Sequence, residues 1–277
     1  MVLNFLDTLN EIQKKAVLAT SGPLLILAGA GTGKTRVLTT RLAYILKKNL
    51  ANPFETLTVT FTNKAAAEMK QRVEEMLNIS TDGWWIGTFH SMAARILRKN
   101  PEIVGLKPQF SIIDVDDQIR LIKQALSYHN IDQKRWPPRL LHSIIQRWKD
   151  KGLNPEDVTN DKEFDNISGK KIYKTYQNRL KTLNVVDYGD LLLQNINIFK
   201  SNIEILNGYQ ERFKYVLVDE YQDTNICQHT WLKFIAKKNQ NICAVGDDDQ
   251  SIYSWRGAEV KNILKFGNTF KNTKVIK

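Results

Sequence analysis

The chain has 277 residues, of which 42% are hydrophobic and 25% are charged, and its formal net charge is +11. This composition is typical of a soluble globular protein with one large or two ordinary domains, and it excludes a disordered chain. The longest apolar run, residues 23–30, is too short to cross a bilayer, and the N-terminus lacks a signal-peptide pattern. We therefore expect a cytoplasmic protein without membrane contact, and the positive charge favours a polyanionic partner.

Short apolar runs bounded by turn residues predict five buried strands. They are residues 24–28, 56–62, 84–89, 214–220 and 241–247. Helical patterns separate them, so the sequence predicts an α/β domain with a parallel sheet. Ligands of such sheets bind beyond the carboxyl ends of the strands. Those ends carry Gly29–Thr35, Thr62–Lys64, Thr88–Ser91, Asp219 with Glu220, and Gly246–Gln250.

The segment between the third and fourth predicted strands has few strand signals. Its patterns are helical, at residues 117–126, 140–149, 170–183 and 188–196, and prolines and glycines separate them. We predict a helical insert over residues 93–207, which interrupts a domain built from residues 1–92 and 208–277.

The sharpest local motif is AGAGTGKT, residues 28–35, which follows a predicted strand and opens a predicted helix. A turn of small residues lets backbone N–H groups surround phosphate oxygens, and the helix presents its positive end to them. Lys34 would reach the β and γ phosphates, and the Thr35 hydroxyl would bind Mg²⁺. Ala28 replaces the usual first glycine, which is tolerable if its φ is negative. The predicted loop is Ala28, Gly29, Ala30, Gly31, Thr32, Gly33, Lys34 and Thr35.

The stretch VLVDE supplies the acids that such a loop requires. Asp219, at the end of a predicted strand, is suited to hold Mg²⁺ through water, and Glu220 to orient and deprotonate an attacking water. With the loop, these residues predict hydrolysis of a nucleoside triphosphate.

Gln13 has two interpretations. Its carboxamide could pair with adenine in a bidentate manner, which would select ATP. Alternatively, Thr8 with Glu11, or Asn10 with Gln13, fits a helix-capping pattern. Spacing alone favours the cap.

Six stretches follow one another along the chain: LNEIQKKAV, AGAGTGKTRVLT, TFTNKAAAEM, GTFHSMA, VLVDEYQDTN and GDDDQSIYSWRGA. Together they resemble the motifs of the UvrD, PcrA and Rep family of superfamily 1 DNA helicases. The resemblance implies a RecA-like P-loop NTPase motor domain (1A) with an inserted, mainly helical subdomain (1B) over residues 93–207. It also implies ATP and Mg²⁺ as cofactors, and ATP-driven 3′ to 5′ translocation on DNA.

The resemblance assigns roles around the nucleotide. Gln13 is similar to the adenine-reading glutamine of the family, which reverses the preference for a cap. Arg36 resembles an arginine near the nucleotide. Gln250 resembles the residue that contacts the γ-phosphate and reports its presence to the DNA site, so the implied catalytic residues are Lys34, Glu220 and Gln250. Asp247 to Asp249 are expected to shape the loop rather than to bind the metal.

The resemblance also implies a channel for single-stranded DNA. Stacking on aromatic rings is indifferent to base sequence, as a motor on DNA requires. Core packing remains an alternative for the two phenylalanines of this set, and structural hydrogen bonding for its histidine. Tyr188 stands where the family usually has Phe in a DFDDL-like motif. The implied contacts are Phe61, Thr62, Asn63, Thr88, Phe89, His90, Tyr188, Tyr253, Trp255 and Arg256.

The basic stretch at residues 170–181 has Tyr173 and Tyr176 interleaved, so it is either a contact for duplex or displaced strand or a solvated face. The family continues beyond these motifs into an arginine-bearing motif and a second motor domain (2A/2B), and we expect both to be absent from these 277 residues. We therefore expect weak binding of Mg-ATP, single-stranded DNA and single-strand/duplex junctions, and little unaided turnover. A non-motor ATP- and DNA-binding module and a P-loop kinase are the alternatives, and repair or replication proteins are possible partners.

Overall fold

A computed structural model describes residues 4–29, 31–159, 169–247, 263 and 265–277. These residues form two compact units, here called the first and second unit. The first comprises residues 1–92, 203–225 and 231–277, and the second residues 93–202 and 226–230, as far as each range is described. In this part of the chain, no helix is long and apolar enough to cross a membrane.

The elements are numbered along the chain. The strands are β1 (Leu24–Leu27), β2 (Thr56–Thr60), β3 (Trp85–Thr88), β4 (Ser111–Ile112), β5 (Val185–Val186), β6 (Tyr215–Val218), β7 (Ile242–Gly246) and β8 (Lys274–Ile276). The helices are α1 (Glu11–Leu18), α2 (Lys34–Lys47), α3 (Asn63–Leu77), α4 (Phe89–Leu97), α5 (Val115–Tyr128), α6 (Pro138–Asp150), α7 (Gly169–Leu183), α8 (Tyr188–Ser201), α9 (Ile203–Arg212), α10 (Ile226–Ala236) and α11 (Phe266–Thr269).

The first unit contains a six-stranded sheet in the order β3-β2-β6-β7-β1-β8, and every neighbouring pair is parallel. The predictions of an α/β fold with a parallel sheet, and of its five strands, are therefore confirmed. β8 was not predicted. It is a three-residue strand whose first two residues are exposed, so it has little hydrophobic pattern and is defined by its pairing with β1, where Leu24 lies opposite Lys274.

Burial explains why these strands read as apolar runs. Every residue of β2 and β7 is buried, as expected of a parallel sheet covered by helices. α2 and α3 contact each other and the sheet, and Leu38, Leu42 and Val73 join Ile26 and Leu217 in one hydrophobic core. The order of the strands sets β6, β7 and β1 side by side, so their carboxyl ends meet at one edge.

The second unit is mainly helical, as predicted for the insert. All four predicted helical patterns form helices, α5 to α8, and the apolar faces of α5, α6 and α7 share a core that includes Trp148 and Leu180. The short parallel pair of β4 and β5 was not predicted, because each strand has only two residues.

The basic stretch at residues 170–181 forms most of α7. Tyr173 and Tyr176 are fully buried in the core of the second unit, so their interleaving with lysines is the apolar face of an amphipathic helix. The idea that these two rings contact DNA is therefore wrong. Among the lysines, Lys174 pairs with Glu156 at 3.5 Å between Nζ and Oε1 on the surface.

Candidate functional site

The loop between β1 and α2 has the backbone of a phosphate cradle. Gly31 and Gly33 adopt left-handed φ angles of 74° and 82°, which glycine reaches without steric cost. The Thr32 hydroxyl donates to Gly29 O at 2.7 Å, and Ala28 N donates to Gly246 O at 3.0 Å. The second bond continues the ladder between β1 and β7, so the loop starts from a fixed position. Because α2 begins directly after Gly33, its positive end faces this loop.

Lys34 is buried at the start of α2, and carbonyl oxygens of its own loop hold its ammonium group. Its Nζ donates to Ala28 O at 3.0 Å and to Gly29 O at 3.3 Å. It also forms an ion pair with Asp247 Oδ2 at 3.5 Å, where the two side chains are 8% and 5% exposed. Asp247 therefore contacts the phosphate-loop lysine, and the expectation that it only shapes its loop was too narrow.

Thr35 and Asp219 form the predicted metal pair, although 184 residues separate them. The Thr35 hydroxyl donates to Asp219 Oδ2 at 3.0 Å. Burial, and then the charge of Glu220, raise the pKa of Asp219 from 3.8 to about 6. Its second oxygen, Oδ1, is buried and accepts no hydrogen bond within the described part of the chain. A buried carboxylate with one unused oxygen, next to a threonine hydroxyl, fits an octahedral Mg²⁺ that keeps several waters.

Glu220 follows Asp219 where the chain leaves β6. It adopts a left-handed conformation with φ 50° and ψ 46°, which is uncommon for a residue with a β-carbon. Its half-buried carboxylate accepts a hydrogen bond from Gln222 Nε2 at 2.8 Å. The side chain is therefore held, as a residue that orients water requires.

Gln13 takes part in both structures considered for it. Its backbone N donates to Asn10 Oδ1 at 2.8 Å, and its Oε1 accepts from Asn10 N at 3.0 Å, which completes a capping box on α1. In addition, its Nε2 donates to Thr32 O at 2.9 Å, in the phosphate loop. The cap is present, and it places the carboxamide beside the loop. The adenine contact stays a prediction.

Two clefts adjoin this loop in the first unit. One, of about 340 Å³, is lined by residues that include Gln13, Thr32 and Lys34. The other, of about 470 Å³, is lined by residues that include Arg36 and Gly33. Arg36 is exposed, so its guanidinium is accessible to a ligand.

The segment after β2 presents its predicted DNA contacts to different degrees. Phe61 is half-buried, whereas Thr62 and Asn63 are exposed. Thr62 caps α3, since its hydroxyl accepts from Ala65 N at 3.1 Å. All three follow the carboxyl end of β2, at the same edge of the parallel sheet as the phosphate loop after β1.

The segment after β3 is more enclosed. The ring of Phe89 is 0% exposed and lies 5.3 Å from the ring centroid of Phe61 and 6.1 Å from that of Trp231. A base cannot stack on a fully buried ring, so Phe89 does not fit a direct DNA contact and instead supports Phe61. Thr88 is buried, and its hydroxyl accepts from Ser91 N at 3.2 Å. His90 is half-buried, and burial lowers the pKa of its imidazole.

Tyr188 belongs to the second unit, at the start of α8, and is 56% exposed. The carboxylates beside it, Asp187 and Asp190, are buried and pair with Lys149, with Nζ to oxygen distances of 2.7 and 2.8 Å. This ion-pair cluster was missed because its lysine lies 38 residues before Asp187, so no local spacing reveals it. The remaining predicted site residues, Ala30, Gln250, Tyr253, Trp255 and Arg256, lie outside the described residues, as do Asp248 and Asp249.

Gln222 was also missed. It is 2% exposed, and its carboxamide joins Glu220 to the backbone of Asp247. A glutamine two residues after an acidic pair carries no known spacing rule, so only the folded chain reveals this contact.

Comparison with known proteins identifies the family of this chain. The model of the UvrD/REP helicase N-terminal domain family matches residues 9–271. A probable DNA helicase II homolog of Rickettsia conorii is 52% identical over 279 residues, which cover 99% of this chain and 42% of the relative. The DNA helicase II of Rickettsia typhi is 53% identical over 280 residues, with the same coverage.

The ATP-dependent DNA helicase PcrA of Staphylococcus epidermidis is 46% identical over 269 residues, which cover 97% of this chain and 37% of the relative. The chain thus spans about two fifths of the length of the curated relatives it matches. Because the family match runs from before α1 to beyond α11, the chain belongs to the UvrD/REP helicase N-terminal domain family.

Proposed function

We propose that this chain is the ATP-binding, N-terminal part of an ATP-dependent DNA helicase that translocates 3′ to 5′ on single-stranded DNA. The observation that carries the proposal is the pair of Thr35 and Asp219, which joins the phosphate loop to the end of β6 and leaves one buried carboxylate oxygen unused. Kinship with proteins named as DNA helicases supports the choice of DNA as the polymer. The polarity rests on the resemblance of the motifs.

The residues of the first unit divide the work of hydrolysis. The backbone N–H groups at the start of α2 and the Lys34 ammonium would bind the β and γ phosphates, and Thr35 with Asp219 would hold Mg²⁺. When bound, that ion supplies positive charge to the phosphate oxygens. Glu220 would orient the water and accept its proton as the water oxygen bonds to the γ-phosphorus. The bond from that phosphorus to the oxygen bridging the β-phosphate then breaks, which releases ADP and phosphate.

A nucleotide titration tests this assignment. We expect the chain to bind a fluorescent ATP analogue in the presence of Mg²⁺, and Lys34→Met to weaken that binding at least about tenfold, because a charged contact to phosphate is lost. Lys47→Met is the matched control, since Lys47 is an exposed lysine in the last turn of the same helix. Absence of binding, or an equal loss in both variants, would contradict the nucleotide site.

A second titration tests the DNA assignment. We expect a labelled oligothymidylate to bind the chain, and Phe61→Ala to weaken that binding about 5- to 100-fold, because one base loses its stacking partner. Phe54→Ala is the matched control, as Phe54 is 53% exposed in the same unit and lies before β2 rather than after it. Equal affinity of the wild-type chain and both variants would remove Phe61 from the DNA site.

Three finer expectations stay predictions. Little unaided turnover by these 277 residues is tested by a DNA-stimulated phosphate-release assay, and robust turnover that Lys34→Met abolishes would contradict it. Preference for single-strand/duplex junctions is tested by competition between junction and single-stranded oligonucleotides. Repair or replication proteins remain the partner class to test. Intact DNA binding with no hydrolysis in any context would favour the non-motor module.

A further inference from the structure

Gln222 is a buried glutamine, and both ends of its carboxamide form hydrogen bonds within the candidate site. It lies in the short helical turn that follows Glu220, and it is 2% exposed. Its Nε2 donates to Glu220 Oε2 at 2.8 Å, and its Oε1 accepts from Asp247 N at 3.1 Å. One planar group therefore joins the exits of β6 and β7.

These two exits carry the groups that matter for hydrolysis. Glu220 is the residue assigned to the attacking water, and Asp247 pairs with Lys34, the residue assigned to the phosphates. A rigid amide fixes the distance between the two segments that it bonds. A displacement of the Asp247 segment would therefore be transmitted to Glu220 through Gln222.

The surrounding backbone is adapted to this contact. A β-carbon added at Gly246 would lie 2.7 Å from Gln222 Oε1, so only glycine allows the carboxamide to approach the end of β7 this closely. On the other side, the left-handed conformation of Glu220 bends the chain so that the side chain two residues later can reach back to its carboxylate.

We propose that Gln222 is a positioning residue for ATP hydrolysis, which sets the Glu220 carboxylate relative to the segment that pairs with Lys34. The proposal rests on the proposed function of the site. Gln222 itself would touch neither phosphate nor water, since its side chain is buried at 2% exposure and both ends of its carboxamide point at protein partners. Its removal should therefore slow the hydrolytic step without weakening nucleotide binding.

Two substitutions separate the two ends of the amide. Gln222→Glu keeps an acceptor for Asp247 N but replaces the donor to Glu220 with a like charge. Gln222→Met has a similar shape and loses both bonds. Gln210→Met is the matched control, because Gln210 is a buried glutamine of the same unit whose Nε2 bonds to Phe234 O, outside the site.

Amide hydrogen exchange at Asp247 tests the bridge without requiring turnover. We expect Gln222→Met to speed exchange at this amide at least about tenfold, because its acceptor is lost. Gln222→Glu and Gln210→Met should leave it near the wild-type rate. Equal exchange rates at Asp247 N in the wild type and Gln222→Met would overturn the proposal. An increase of this rate in Gln210→Met as large as that in Gln222→Met would overturn it as well.

Single-turnover hydrolysis of labelled ATP, with the chain and oligothymidylate in excess and followed long enough to record the slow hydrolysis expected of these 277 residues, tests the catalytic consequence. We expect both Gln222 variants to hydrolyse ATP about 10- to 100-fold more slowly, since small misplacements of a catalytic group have effects of this size. Their affinity for the fluorescent ATP analogue should stay within about twofold of wild type, unlike that of Lys34→Met.

Hydrolysis by Gln222→Met at the wild-type rate would refute the positioning role even if the exchange result holds. Loss of nucleotide affinity in both Gln222 variants would also refute it, because the residue would then serve binding. If instead Lys34→Met binds nucleotide normally, the proposed function fails, and the exchange data still report on the bridge by themselves.

Discussion

Both units bury a lysine beside aspartates, yet the two lysines are held in different ways. In the first unit, Lys34 has one carboxylate at 3.5 Å and takes its other bonds from two loop carbonyls. In the second, Lys149 has carboxylate oxygens of Asp187 and Asp190 at 2.7 and 2.8 Å, and all three side chains are 0 to 1% exposed. The first arrangement leaves the ammonium available to an incoming anion, whereas the second is closed.

The closed cluster is also bonded from every side. Tyr176 donates its hydroxyl to Asp187 Oδ2 at 2.8 Å, and Gln177 Nε2 donates to Asp190 Oδ1 at 2.7 Å. The two residues form a capping box on α8, because Asp187 Oδ1 accepts from Asp190 N at 2.9 Å and Asp190 Oδ2 accepts from Asp187 N at 3.4 Å. An ion pair whose members are hydrogen-bonded on every side stabilises one conformation. An ion pair with fewer partners, next to a cleft, suits the binding of a ligand. The comparison therefore separates a lysine whose contacts suit a structural role from one whose contacts suit binding.

The strongest way to break this comparison is to substitute each lysine with methionine. Lys149→Met leaves two buried carboxylates without a cation, so we expect the free energy of unfolding to fall by about 3–5 kcal/mol. Lys34→Met should cost less, about 1–2 kcal/mol, because it leaves one carboxylate rather than two without a cation, and the ion pair that it breaks is longer, at 3.5 Å. Urea unfolding of both variants measures the difference. Equal losses would show that Lys34 is as structural as Lys149.

The two carboxylates of the cluster should differ from each other as well. Although burial acts to raise it, the charge and hydrogen bonds of Lys149 lower the pKa of Asp187 below its ordinary value. Burial and the charge of Asp187 raise the pKa of Asp190. Relative to an unfolded chain, the fold therefore favours ionisation of Asp187 and disfavours ionisation of Asp190.

We accordingly expect Asp187→Asn to lower the free energy of unfolding at pH 7 by about 2–4 kcal/mol, and Asp190→Asn by about 1 kcal/mol or less. The contribution of Asp187 is fully present above its unfolded pKa, and it is lost as the pH falls through the lower folded value. Thermal unfolding of both variants at pH 7 measures the difference between the two losses of stability. A larger loss in Asp190→Asn would mean that Asp190 is the carboxylate that Lys149 chiefly stabilises.

The sequence predicted the parts of this molecule whose cause is local. The strands are apolar runs, the phosphate loop is a contiguous motif, and the strand-end rule correctly indicated that Thr35 and Asp219 meet. Long-range contacts could not be predicted in this way. Lys149 meets Asp187, and Gln222 meets Asp247, only because helices and strand ends that are distant in sequence pack together.

Burial also distinguishes core aromatic residues from exposed ones, which the sequence pattern alone does not. The sequence leaves two roles open for Phe89, Tyr173 and Tyr176, because an aromatic ring is equally suited to a hydrophobic core and to stacking on a base, and the structure buries all three. Most of their neighbours in sequence are polar or basic, so the local sequence does not separate the two roles. For Gln13, spacing indicated the capping box that is present, and the resemblance added an adenine contact that is still to be tested.

A titration sharpens the comparison at the metal pair. Because the folded pKa of Asp219 is raised to about 6, the folded state binds more protons than the unfolded state between about pH 4 and 6. Without Mg²⁺, stability should therefore increase as the pH falls from 7 to 5, by about 1–3 kcal/mol. Asp219→Asn should remove most of this slope and stabilise the ligand-free chain at pH 7.

Asp223 contributes to the same interval, since burial and the charge of Glu220 raise its pKa to about 6, but it is only half-buried. Asp223→Asn is therefore the control, with a smaller loss of slope. Urea unfolding in a chelating buffer at several pH values provides the measurement. If Asp219→Asn leaves the pH dependence of the unfolding free energy unchanged, a group other than Asp219 is responsible for it.

The smallest expected effect concerns the pair that defines the open arrangement. In the free chain, Asp247 bonds to the ammonium that a phosphate would have to reach, so the two compete for Lys34. Asp247→Asn removes this competition, and it also removes a negative charge next to the bound phosphates. It keeps the backbone N–H that Gln222 requires. We therefore expect the affinity for the ATP analogue to rise about two- to fivefold, which is below about 1 kcal/mol, with a stability change of similar size. A fall in affinity would mean that Asp247 assists phosphate binding. It would contradict a competition between Asp247 and phosphate for Lys34, which the 3.5 Å ion pair and the position of Lys34 at the cleft indicate.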